Sequence, residues 1–179
     1  TLTFTLRPGL QYSDGSLLNA QRFEYSIMRA IDPVTDSYMA FMLDVIIGAP
    51  EWRSSDYTAP NYDPEIYKAA LGVEALTLTG SPCTSYTQTD CLRLKLSFSE
   101  TALYFHSIMA LWLASPAMEE NILAGGDTWW SSPQYQVGNG AFVMTSFQSV
   151  SGASFVPNTH YRAGLAQVNI DYSYILDPE

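Results

Sequence analysis

TLTFTLRPGLQYSDGSLLNAQRFEYSIMRAIDP, residues 1–33, carries three local signals in a row. Residues 1–7 alternate, with Leu2, Phe4 and Leu6 on one side and Thr3, Thr5 and Arg7 on the other, the period of a half-buried strand. Pro8-Gly9 breaks that run, and Leu10 and Tyr12 resume the alternation before Ser13-Asp14-Gly15-Ser16. This cluster predicts a turn, because the Asp side chain bonds its own backbone and Gly accepts a positive φ. Asn19 is placed to cap a helix over residues 20–31 with Phe23, Ile27 and Ala30 on one face, and Pro33 disfavours helical geometry at Asp32. Strand, turn and helix are therefore expected in order.

Outward from this stretch, residues 38–47 (YMAFMLDVII) are almost wholly apolar, with Met39, Met42, Leu43 and Ile46 at helical spacing, and predict a largely buried helix stopped by Gly48. Residues 49–63 lack any period and read as a long loop. Asp63-Pro64-Glu65 combines a cap, a first-turn Pro and an acid, so a short helix over residues 64–71 is expected before Gly72. Residues 73–79 and 92–98 predict a hairpin, the second strand alternating Leu92, Leu94, Leu96 and Phe98 against Arg93, Lys95 and Ser97. Ser99 starts a predicted helix over residues 100–113, ended by Pro116. A shorter helix follows over residues 118–124, then a loop at 127–133. Strands are expected at 141–147, 155–156 and 167–175.

The hairpin connection holds the only two cysteines, Cys83 and Cys91. Seven intervening residues do not match paired C-x-x-C zinc ligands, and no histidine is near in sequence, which argues against metal. Two readings stay open, free thiols or a disulfide. The latter would close a small loop, be worth on the order of 2.5 kcal/mol, and point to an extracytoplasmic compartment.

The whole-chain numbers exclude several functions. A chain of 179 residues with 47% hydrophobic content can bury a proper core. Its net charge of −10 repels nucleic acid and anionic membrane surfaces. No apolar run reaches the roughly 18 to 20 residues of a membrane-spanning helix, and no signal-peptide pattern opens the chain. Catalytic patterns are thin: His106 and His160 are the only histidines, and no G-x-S-x-G elbow marks a nucleophile. Glu119 and Glu120 are adjacent and so fall on different helical faces, unable to face each other as a carboxylate pair. Gly138-Asn139-Gly140 lacks the longer pattern of a phosphate loop and reads first as a tight strand entry. The remaining functional signal is aromatic: four tryptophans and twelve tyrosines suit cores and ligand clefts alike.

The segment F-T-L-R-P-G-L-Q-Y-S-D-G-S-L-L-N-A-Q-R-F-E-Y-S resembles the F-x-L-R-x-x-x-x-(F/W)-S-D-G-x-P-(L/V)-(T/N)-A-x-D-(F/V)-x-Y-S pattern of family 5 extracellular solute-binding proteins, the oligopeptide and dipeptide receptors of ABC importers. Tyr12 stands for the usual Phe or Trp, and Arg22 for the usual acid. Later segments are similar too: Leu71-Gly72-Val73-Glu74-Ala75-Leu76 to G-V-x-A-x-D, residues 100–116 with Tyr104-Phe105 to P-x-P-Y-F-x-x-L-L-A-x-x-x-x-x-P, Gly138-Asn139-Gly140-Ala141-Phe142 to G-(T/N)-G-P-(F/Y), and residues 157–161 to N-P-x-Y. The resemblance implies an α+β (α/β) architecture of the periplasmic-binding-protein type II kind. It also implies a piece of a longer receptor, with residues 1–135 in the extra subdomain of the first lobe and 136–179 supplying strands of the ligand-binding subdomain. By the same resemblance the ligand contacts are Trp112 and Leu111 at a helix end facing the cleft, Gly138 and Asn139, and Tyr38 of the family's (S/P)-Y motif. The function implied is capture of peptides outside the cytoplasm, in the periplasm or on a cell-surface lipoprotein. A single copy would deliver them to an ABC permease without cofactor, metal or catalysis. Oligosaccharide is the second ligand class, and an extracellular hydrolase is the reading from a different class.

Overall fold

Asn19 ends an extended stretch and starts a helix because its side-chain oxygen accepts the Gln21 N–H at 3.1 Å. In the computed structural model, which describes residues 1–175, this helix is α1, Ala20–Ile31. Asp32 takes an extended ψ before Pro33, which ends α1 where expected. The described chain falls into two compact units, one of residues 1–8 and 19–116, the other of residues 9–18 and 117–175.

In the first unit, β1 (Leu2–Thr5), β2 (Val73–Leu76) and β3 (Arg93–Leu96) form an antiparallel sheet in the order β1-β3-β2. Leu94 faces Phe4 on one side and Ala75 on the other. The alternation of β3 buries Leu94 and Leu96 and sends Lys95 outward to Glu74 at 2.7 Å. The helix α1 packs on this sheet, and Ile27, Ile31, Leu43, Ile46, Trp52 and Phe105 complete a closed core. Trp52 has no exposed surface, and its indole N–H donates to the Tyr62 hydroxyl at 2.9 Å.

Cys83 and Cys91 are joined in a disulfide, the second of the two open readings. The loop it closes docks on the start of α1. Asn19, fully buried, donates to the carbonyls of Ser85 and Gln88 at 3.1 and 3.2 Å, and the Ala20 N–H donates to Cys91 O at 2.9 Å. Arg22, the departure from the family pattern, lies 3.7 Å over the ring of Tyr86 in the same loop, a cation–π contact.

Three expected elements are corrected. Residues 38–47 form no α-helix, only a three-ten turn at Ala40–Leu43. The reason is pairing: Ile46 bridges Phe98, Ile47 N–H donates to Ser97 O, and Gly72 N–H donates to Ile47 O, so the backbone is spent beside the hairpin. Gly48, at φ 80°, leads into α2, Ala49–Arg53, inside the expected loop. The helix α3, Pro64–Ala70, starts as expected, with Asp63 accepting the Glu65 N–H. The expected helix over 100–113 shrinks to α4, Phe105–Ile108, and a three-ten turn at Trp112–Ala114. Ser99 does not cap it, because both its N–H and its hydroxyl go to Val45 O.

In the second unit the Ser13-Asp14-Gly15-Ser16 turn forms as expected, Asp14 accepting from Ser16 N–H and hydroxyl, with Gly15 at φ 85°. A Cβ on Gly15 would press on the His160 imidazole at 3.2 Å. Then follow α5 (Glu119–Gly125), a three-ten turn at Gly126–Ser131 where a loop was expected, and an antiparallel sheet β4-β5-β6. Its strands are Phe142–Gln148, Gly152–Pro157 and Ile170–Ser173.

One carboxylate carries a pH prediction. Glu24 on α1 accepts the outward N–H of Ala75 at 2.8 Å, closing the free edge of β2. Burial, joined by the neighbouring charge of Glu74, raises its pKa above the ordinary carboxylate value despite that bond. A raised carboxyl stabilises the fold below its unfolded pKa, and the contribution fades as pH climbs through the folded value. Glu24→Gln keeps the acceptor and cannot ionise. Urea unfolding at several pH values should find it at least as stable as the parent at neutral pH, with any advantage gone in mild acid. A variant markedly weaker at neutral pH would show that the charge itself supports the strand edge.

Candidate functional site

Tyr38 follows the only non-glycine residue with positive φ among those described, Asp36 at φ 50°, which ends a three-ten turn over Pro33–Thr35. That turn sends Tyr38 away from the core, so it is 88% exposed. It lines a cavity of about 290 Å³ in the first unit together with Asp32, Asp36, Phe41, Arg53 and Tyr57. Arg53 is engaged by Asp44 through two bonds, Nε to Oδ1 at 2.8 Å and a terminal nitrogen to Oδ2 at 2.6 Å. The hydrogen bonds with Asp44 raise the Arg53 pKa, so the guanidinium stays charged and paired.

Trp112 opens the three-ten turn Trp112–Ala114, whose Leu113 and Ala114 are buried while the indole is 67% exposed. Leu111, half-buried, packs against the core. Trp112 and Tyr38 thus both belong to the first unit and both present aromatic surface, but Trp112 does not line the Tyr38 cavity. Gly138 and Asn139 belong to the second unit. Gly138 O accepts the Ser13 N–H at 2.8 Å, fixing the strand entry against the turn, and Asn139 is exposed.

Gly138 also borders an apolar cavity of about 480 Å³ on the β4-β5-β6 sheet, walled by Trp130, Phe142, Met144, Phe147 and Phe155. A register shift between Met144 and Ser146 turns Phe147 onto the face of Phe142 and Met144, where strict alternation would put it opposite. Trp130 then meets Phe147 edge-on at 5.7 Å. Sequence reasoning missed this wall, and it missed Asp36, Phe41 and Tyr57 beside Tyr38. Their residue types were visible, but a bulge and a turn assemble them, and neither leaves a periodic trace.

The chemistry available is recognition by stacking, apolar contact and hydrogen bonding. Among the described residues no three His, Cys, Asp or Glu side chains gather as metal ligands, and no helix is long and apolar enough to cross a membrane. His106 and His160 stand apart, the first bonded to Leu103 O and the second beside Gln11.

Known proteins are similar to this chain in sequence and fold. The periplasmic murein peptide-binding protein MppA of Escherichia coli K12 is 28% identical over 159 residues, covering 89% of this chain and 26% of that protein. The probable deoxycholate-binding periplasmic protein YgiS of the same organism is 29% identical, again over 89% of this chain and 26% of its own length. The crystal structure of the substrate-binding domain of an oligopeptide ABC transporter from Bacillus anthracis superposes with a TM-score of 0.76 at 23% identity, over 97% of this chain and 30% of that one. The α+β architecture expected from the sequence is therefore a known one, and the chain spans about a quarter of the curated relatives it matches. The family model for bacterial extracellular solute-binding proteins, family 5, matches residues 1–178, and the chain belongs to that family.

Proposed function

We propose that this chain is part of the substrate-binding component of an ABC importer, which captures peptides outside the cytoplasm and delivers them to a membrane permease. Family membership over nearly the whole chain carries the reading. A relative named for murein peptide binding and a similar solved structure named as an oligopeptide transporter component support peptide as the ligand class. The disulfide accords with an oxidising, extracytoplasmic compartment. Tyr38 and Trp112 act by contact with the ligand, since a scaffold role would bury such large rings. Gly138 and Asn139 contribute backbone and amide groups at the entry of β4, and Leu111 supports Trp112. Residues 1–135 serve the extra subdomain of the first lobe and 136–179 the ligand-binding subdomain; the ligand is enclosed by hinge closure and no bond is broken. An extended peptide suits such a cleft, because its main chain is satisfied whatever its side chains.

The test is titration calorimetry of the full-length protein with short peptides, with deoxycholate as a parallel ligand because one relative is named for it. Peptide should bind without turnover, and Trp112→Ala should weaken binding about tenfold or more, the effect of losing an aromatic anchor. Hydrolysis of the peptide, or binding of deoxycholate alone, would overturn the peptide reading. The 179-residue chain by itself should bind peptide weakly or not at all.

A further inference from the structure

The cavity beside Tyr38 has walls of two kinds. Tyr38, Phe41 and Tyr57 supply aromatic surface and are 88%, 54% and 50% exposed, while Asp32 and Asp36 supply carboxylates. The one cation on its rim, Arg53, is already neutralised by Asp44, so the two remaining carboxylates leave the cavity electronegative. Asp32 Oδ1 accepts the Val34 N–H at 2.9 Å, which positions the group without cancelling its charge. The Asp36 carboxylate makes no hydrogen bond or ion pair with another described residue.

These walls discriminate between ligands. An anion is repelled. A metal ion is poorly served, because a small hard cation demands several oxygen ligands converging on one point and no three acidic side chains gather among the described residues. An organic cation is suited: its ammonium group is attracted to aromatic faces and to a carboxylate together, and its carbon substituents cover the rings. The volume of about 290 Å³ accommodates a choline-sized group or the end of a lysine side chain.

We propose that this cavity binds an organic ammonium group, with Asp36 as the counter-charge and Tyr38, Phe41 and Tyr57 as the aromatic walls. The proposal does not depend on the peptide reading, because the ammonium can belong to a free cation or to a ligand's side chain.

The 179-residue chain is titrated with choline and with its uncharged isostere 3,3-dimethylbutanol, followed by NMR shifts of the tyrosine rings. A parallel pair, N-acetyl-lysine methylamide against N-acetyl-norleucine methylamide, separates the two sources of the cation. Choline, the lysine derivative, or both should bind about tenfold more tightly than the neutral partner. A choline preference alone assigns a free cation, and a lysine preference alone assigns a side chain. Asp36→Asn should bring the preference below about threefold without changing the thermal midpoint, because asparagine accepts the left-handed backbone that Asp36 adopts. Tyr57→Leu, which keeps apolar volume and removes the ring, should lower cation affinity several-fold and spare the neutral compounds. Equal binding within both pairs would overturn the proposal, as would a preference undiminished in Asp36→Asn.

Discussion

Trp52→Ala is expected to cost the first unit about 4 kcal/mol, within the range for emptying a buried aromatic site. Trp52 is completely enclosed and sits on a helix of only five residues, Ala49–Arg53, which has little stability of its own and is held by what it buries. Removing the indole opens a cavity in the buried cluster that also holds Ile27, Leu43 and Ile46, and takes the donor from the Tyr62 hydroxyl. Trp52→Phe, which keeps most of the apolar volume, should lose about 1 to 2 kcal/mol, and Tyr62→Phe about 1 kcal/mol or less. Native-state hydrogen exchange of the β3 amides reads these losses within the first unit. A loss below about 1 kcal/mol for Trp52→Ala would mean that the helix collapses into the vacated space.

Gly152→Ala is the second large effect, and it belongs to the other unit. Gly152 opens β5 at φ 143°, a region L-residues rarely enter, and it pairs with Ser173 across β6. A Cβ placed there would run into the backbone carbonyl oxygen of Tyr172, and backbone cannot swing aside as a side chain would. We expect about 3 kcal/mol of destabilisation, or release of β6 from β5, from backbone strain together with the lost pairing. Exchange protection should fall in β6 before it falls in β4. Uniform protection across all three strands in Gly152→Ala would contradict this account.

What could be read from the chain, and what could not, divides by the range of the forces involved. The turn at Asp14-Gly15, the caps at Asn19 and Asp63 and the alternation of Leu94 and Leu96 are decided within a few residues, and the structure places each as read. Residues 38–47 have helical spacing, but Ile46 and Ile47 satisfy their backbone against residues 97 and 98, a competition that no local window contains. Ser99 was lost as a cap for the same reason, its donors taken by Val45. The candidate site shows the same division. Tyr38 and Trp112 could be named through motif position, whereas the grouping of Tyr38 with Asp36, Phe41 and Tyr57 depends on how two turns are folded together.

The tie between Asn19 and the disulfide loop bears on the order of events during synthesis. Two of the three hydrogen bonds of that one carboxamide reach carbonyls 66 and 69 residues further along the chain. As the chain emerges from its N-terminus, α1 can coil almost at once, but its buried polar start stays unpartnered until the hairpin tip has been made and folded back. Docking of α1 therefore waits for the tip, and a nascent chain held in reducing surroundings has a poorly anchored helix. Reduction of the disulfide is therefore expected to loosen the first turn of α1 as well as the hairpin tip.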